Sequence, residues 1–381
     1  MFEILRNFKV GRPHVLAGLM LLAFLAQCLW AAKARKISPL EYQYIFSGLA
    51  PEKQNTPAVT LDSPFTSLVA ALPLRLIGLL RKTGPSSWTS YLAVPHPWIL
   101  RLPFAIFGVW LGGALWWVAR RLFDNEGGYV ALGLYCTSPA MIKVSSNVGP
   151  EILLAWSALG LIYTAIGVAH TLYAPPKKWV PRIGILGLSI GFALATSWWS
   201  FTLVLLALGY MLYLAPDCRG KVANVLASAC VVGCGVWLAI GWITGSLGTG
   251  MRAMFSPAPS LAALRQLAFA LSATTDGYVL VFLFIGSLTA YASWQRARYF
   301  GNTAPLVTAF LCVLAFALVP ATHLWEATLA LSFVFIFIGG VAADLLETRY
   351  RLEFLLVLLA AFLVRIVLTL PELRGWVQNL T

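Results

Sequence analysis

The chain has 381 residues, of which 60% are apolar and 11% charged, with 27 Lys and Arg against 14 Asp and Glu. Such a balance excludes a soluble globular domain and a disordered tail, and points to a polytopic integral membrane protein. The net charge of +13 is no nucleic-acid signature here, because much of it sits at the ends of apolar runs, where it orients spans and meets lipid phosphate.

Apolar windows of roughly 17–25 residues predict an all-α protein of about eleven transmembrane helices. They fall near 14–32, 98–120, 127–146, 150–172, 182–197, 199–215, 222–244, 279–295, 304–321, 324–346 and 354–371. The first is flanked by Arg6, Lys9 and Arg12 before and by Lys33, Arg35 and Lys36 after, so no cleavable signal is expected.

A long polar insert, residues 33–97, follows the first span. Within it Ser38-Pro39 and Ser63-Pro64 each read as a helix start, with serine at the N-cap and proline in the first turn. They predict two amphipathic helices lying in the membrane interface, Pro39–Leu49 and Pro64–Leu80, the first rich in tyrosine. Nothing outside the membrane is long enough to bury a core of its own.

The charges of the short loops set the orientation. With the N-terminus in the cytoplasm, the inner connections carry Arg120-Arg121, Lys177-Lys178, Arg219 with Lys221, Arg296 with Arg298, and Arg349 with Arg351. Each is short and basic, as the positive-inside rule requires, which leaves the insert and the C-terminus outside a bacterial-type cytoplasmic membrane. The six cysteines, Cys28, Cys136, Cys218, Cys230, Cys234 and Cys312, form no disulfide framework and no zinc spacing.

Further signals lie in a fixed order. Residues 101–108 read Arg-Leu-Pro-Phe-Ala-Ile-Phe-Gly, followed by Ala119-Arg120-Arg121-Leu122-Phe123, Ser138-Pro139, Gly149-Pro150-Glu151 and the run Gly191 to Thr196. This succession resembles the GT-C membrane glycosyltransferases, in particular the bacterial relatives of dolichyl-phosphate-mannose–protein mannosyltransferases. The likeness covers about residues 10–245, which it marks as a GT-C-like N-terminal transmembrane module, with residues 246–381 as a shorter C-terminal one.

The resemblance implies a polyprenyl-phosphate-linked sugar as donor, membrane lipids as surroundings and transfer at the outer face. It also implies which acids to watch. The first external loop of the family carries an acidic residue before a tyrosine, commonly an Asp-Glu pair; here Leu40-Glu41-Tyr42 keeps the glutamate and has leucine in place of the aspartate. A later acid-x-Pro signature matches Asp62-Ser63-Pro64, and the second-loop acid matches Pro150-Glu151.

The chemistry itself asks for the same residue types. Transfer from a polyprenyl phosphate needs a general base for the incoming hydroxyl or amine and cations for the departing phosphate. Glu41, Asp62 and Glu151 are the candidate catalytic acids at the outer boundary, where partial desolvation is expected to raise a carboxyl pKa. His96, Arg101 and Lys143 are the candidate substrate-binding cations, and the resemblance adds His323, at an outer span end where the family often places a basic residue for the lipid phosphate. No metal ligand set emerges; acids without neighbouring histidines suit magnesium or manganese better than zinc.

Simpler roles stand beside each of these. Glu151 and Asp62 also suit helix N-termini, Glu41 a solvated helix face, and Arg101 a snorkelling contact with lipid phosphate. A second function therefore competes with the enzyme, a catalytically inactive GT-C-like subunit of a larger membrane complex. It draws on Leu40, on the short chain and on the lack of a soluble acceptor-binding domain. A transporter fits less well, since no inverted repeat and no mid-membrane acids are evident.

Overall fold

A computed structural model describes residues 12–49, 63–81, 98–245, 277–293, 300–317 and 328–378. The described residues form helices and connecting turns. In chain order these are α1 (Arg12–Ala34), α2 (Pro39–Leu49), α3 (Pro64–Arg81), α4 (Trp98–Cys136), α5 (Pro139–Ser145), α6 (Pro150–Ala169), α7 (Val180–Thr196), α8 (Phe201–Leu214), α9 (Arg219–Ile243), α10 (Gly277–Ser293), α11 (Phe300–Ala317), α12 (Leu329–Leu346) and α13 (Arg351–Gln378). Six of the helices are long and apolar enough to cross a membrane, and four shorter apolar stretches accompany them.

α4, at 39 residues, would run about 58 Å if straight, nearly twice a bilayer's hydrocarbon core. It instead breaks at Phe123 and Asp124, where Asp124 takes φ 59 and ψ −164. The two halves then lie side by side, and the Tyr135 hydroxyl donates to the carbonyl of Gly108 at 2.7 Å. The second and third predicted spans are therefore one hairpin.

The third span is shorter than the sequence suggests. It ends at Cys136 rather than near 146, and a separate seven-residue helix, α5, follows. Proline has no N–H and disfavours helical backbone in the residue before it. Ser138 accordingly turns extended (φ −81, ψ 116), and its side chain accepts from the Met141 amide as N-cap of α5.

The core sits where α4, α6 and α12 meet. α6 and α12 are the most enclosed of the long apolar helices, and Phe333, Phe335, Ile336 and Phe337 of α12 are fully buried. Close approach there depends on glycine: a methyl carbon placed on Gly339 of α12 would lie 2.7 Å from the Gly127 carbonyl oxygen of α4.

Both insert helices begin where the serine–proline pairs place them. At the start of α2 the Glu41 amide donates to the Ser38 hydroxyl at 3.2 Å, while the Ser38 amide donates to Glu41 Oε2 at 2.8 Å. The two residues make a reciprocal capping box, satisfying two amides that a helix start leaves without partners. α2 packs on α3 through Gly48, which lies against the Ser67 carbonyl, and Arg75 of α3 donates back to the Gly48 carbonyl. Both helices keep apolar side chains exposed, Leu40 and Phe46 on α2 and Leu72 and Leu76 on α3.

Candidate functional site

Ser38-Pro39-Leu40-Glu41 directs the Glu41 side chain inward, leaving the residue 4% exposed. Arg101, one turn into α4, meets it with 1% exposure. Nε of Arg101 donates to Glu41 Oε1 at 2.8 Å and Nη2 donates to Oε2 at 2.7 Å. The remaining N–H groups go to main-chain carbonyls at the end of α1: Nη1 to Ala32 at 2.7 Å and Arg35 at 2.8 Å, Nη2 to Lys36 at 2.8 Å. A guanidinium has five N–H donors, and here all five are engaged.

Glu41 is equally committed. Besides the two bonds from Arg101, Oε2 accepts from the Ser38 amide and Oε1 accepts from the Val148 amide at 2.9 Å. Burial alone would push this carboxyl up, but the hydrogen bonds and charge of Arg101, with the Ser38 and Val148 amides, outweigh it and hold the group below its ordinary value. That corrects the expectation that desolvation at the boundary would raise it. The pair thus ties together the end of α1, the first insert helix, the start of α4 and the turn before α6.

Arg35 stands beside this pair. Its Nη1 donates to the Asn147 side-chain oxygen at 2.9 Å. Burial first, and then the neighbouring Arg101, lower the Arg35 guanidinium to about 10.

Glu151 occupies the first turn of α6 and is partly exposed. Its carboxylate folds back over Gly149, so that a methyl carbon on Gly149 would fall onto Oε2. Lys143 lies in the last turn of α5, also partly exposed. An acid at a helix start and a base at a helix end both match the helix dipoles. The turn 146–149 joins these two helix ends, and it is the turn that Glu41 and Arg35 hold.

Of the sequence candidates, Glu41 and Arg101 come together, and Glu151 and Lys143 flank the same turn. Arg101, expected to bind substrate, has spent every donor inside the protein, which leaves none for a phosphate. Asp62, His96 and His323 lie outside the described residues. Among the described residues no group of three or more His, Cys, Asp and Glu side chains is placed to hold a metal ion.

This arrangement can be set against known proteins. Residues 86–243 match the dolichyl-phosphate-mannose-protein mannosyltransferase family, whereas no curated protein matches the chain by sequence. ArnT from Cupriavidus metallidurans bound to undecaprenyl phosphate superposes with a TM-score of 0.63 at 14% identity, over 95% of this chain and 74% of that one. The chain has the GT-C membrane glycosyltransferase fold. A second GT-C structure, the archaeal oligosaccharyltransferase AglB from Archaeoglobus fulgidus with an inhibitory peptide and a dolichol-phosphate, gives 0.59 at 15% identity over 93% of this chain. The chain spans 56% of the length of that AglB structure. An apo form of the A. fulgidus enzyme gives 0.54 at 14% identity.

Within the GT-C fold, Arg35, Asn147, Val148 and Gly149 are the residues to which sequence reasoning gave no role in the site. Arg35 reads as one more flanking charge in Lys33-Ala34-Arg35-Lys36, and Gly149 as the approach to a helix start. One signal was available: Ser38-x-x-Glu41 is a capping-box spacing, which fixes Glu41 to its helix start before any tertiary contact is known.

Proposed function

We propose that this chain transfers a sugar from a polyprenyl-phosphate donor to an acceptor at the outer face of the cytoplasmic membrane. In this reading its N-terminus is cytoplasmic, about eleven spans cross the bilayer, and residues 1–245 form the catalytic module. The observation that carries the assignment of roles is the complete coordination of Glu41. A carboxylate with every acceptor position filled and a depressed pKa is a poor base, so Glu41 and Arg101 act as a structural clamp. Glu151 then serves as the base, together with Asp62 of the insert.

Glu151 accepts the proton of the incoming hydroxyl or amine, whose lone pair forms the new bond to the anomeric carbon. The bond from that carbon to the phosphate oxygen breaks, and the electron pair leaves on the polyprenyl phosphate. Lys143, with His96 and His323, offsets the charge that develops there. The donor class is supported by the undecaprenyl phosphate and the dolichol-phosphate bound to the two similar structures.

One feature favours a second reading, an inactive GT-C-like subunit of a larger complex. Leu40, 51% exposed, stands where the family commonly carries an aspartate. The test is sugar transfer from labelled polyprenyl-phosphate donors to a membrane-lipid and protein acceptor mixture, comparing wild type with Glu151→Gln and Asp62→Asn. Transfer by wild type that falls in both variants supports the enzyme. No transfer by wild type favours the subunit, and equal transfer by all three rejects these acids.

A further inference from the structure

We infer that the turn 146–149 is a positioning device for Glu151, built from Asn147 and Gly149 and latched by Arg35 and Glu41. The inference rests on the proposed catalytic role of Glu151 for its effect on rate, and on geometry alone for the latch itself.

Three contacts define it. Arg35, leaving α1, reaches across to the Asn147 side-chain oxygen at 2.9 Å. Glu41, fixed in α2 by its capping box and by Arg101, receives the Val148 amide at 2.9 Å. Two consecutive residues of the turn are therefore held from two different segments, both of which precede the second span. Gly149 comes next, extended at φ −162 and ψ 164. Any residue adopts that backbone, so the glycine is not needed for conformation. It is needed for space, because the Glu151 carboxylate rests where a side chain would stand.

Pro150 then begins α6 with a fixed φ and without an N–H, which leaves the turn little freedom to relax. The position of the Glu151 carboxylate thus follows from the turn, and the turn from the insert. A shift of about 1 Å in a catalytic group can cost on the order of a hundredfold in rate. Gly149→Ala is a sharp probe, since the atom it displaces is the far end of a flexible side chain: the fold tolerates it while the carboxylate moves.

The experiment compares wild type, Gly149→Ala, Asn147→Leu and Asn147→Asp in lipid nanodiscs, by sugar transfer from a labelled polyprenyl-phosphate donor and by hydrogen exchange of the Val148 amide. Gly149→Ala is expected to lower kcat roughly tenfold to a hundredfold, with donor KM and unfolding temperature unchanged. Asn147→Leu, which frees the turn from Arg35 beside the amide that Glu41 holds, is expected to lower kcat and to speed Val148 exchange at least about tenfold through more frequent local opening. Asn147→Asp, which keeps an acceptor for Arg35, restores both. Unchanged kcat in Gly149→Ala overturns the positioning role, and unchanged Val148 exchange in Asn147→Leu overturns the latch. A wild type without transfer activity removes the catalytic reading, and the exchange measurement then still decides the latch.

Discussion

Arg101 grips Glu41 with two parallel hydrogen bonds of 2.8 and 2.7 Å across 60 residues of sequence, and neither side chain is more than 6% exposed. Two-pronged guanidinium–carboxylate pairs fix orientation as well as distance. This one sets how the polar insert sits on the long apolar helices.

Breaking it from one side is expected to be costly, because the survivor is left charged and buried. Arg101→Leu should lower stability by about 3–5 kcal/mol, seen as a fall in unfolding temperature of the detergent-solubilised protein. In a cycle with Glu41→Gln, the double variant should lose clearly less than the sum of the single losses. Additive losses would mean that the two residues act independently.

The same pair makes stability depend on acid. The Glu41 carboxyl lies below its ordinary value of 4.5 in the fold, so the unfolded chain binds this proton more readily. Its contribution is fully present above about pH 4.5 and is lost as pH falls through the folded-state value. Wild type should therefore lose unfolding temperature below pH 4.5 more steeply than Glu41→Gln, as measured by thermal scans between pH 7 and the acid limit of the detergent.

The hairpin turn of α4 carries local strain. Asp124 is exposed and adopts φ 59 with ψ −164, a region that glycine occupies at little cost. Asp124→Gly is expected to raise stability by about 1 kcal/mol, and a fall in unfolding temperature would show that the aspartate side chain is needed.

At the α4–α12 crossing the expectation has the opposite sign. A side chain on Gly339 has to push against the main chain of α4, which cannot move as a side-chain end can. Gly339→Val should cost about 1–3 kcal/mol or more, readable by the same thermal scans.

Much of this architecture is legible in the sequence because it depends on local rules. Ser38-Pro39 and Ser63-Pro64 mark the insert helices to within a residue, since capping and proline act over one turn. The break between α7 and α8 falls at Trp198–Ser200, where the apolar runs meet. The end of the third span is less visible, because residues 137–146 stay apolar enough to extend a hydropathy window although Pro139 forces a new helix. Least visible is the role of Glu41. Its acid character and its place in the loop suggest chemistry, but its partner comes from α4 and its fourth hydrogen bond from the turn before α6. Tertiary pairing of that kind leaves no periodic trace.

The GT-C fold alone does not make an enzyme, so the central claim stands on Glu151. Donor turnover decides it most directly: release of polyprenyl phosphate from a labelled polyprenyl-phosphate sugar, by wild type and Glu151→Gln in matched nanodiscs. The expected result is turnover by wild type that drops by about a hundredfold or more in Glu151→Gln, with donor binding retained. Equal turnover by the two proteins, or none by either, would contradict the account.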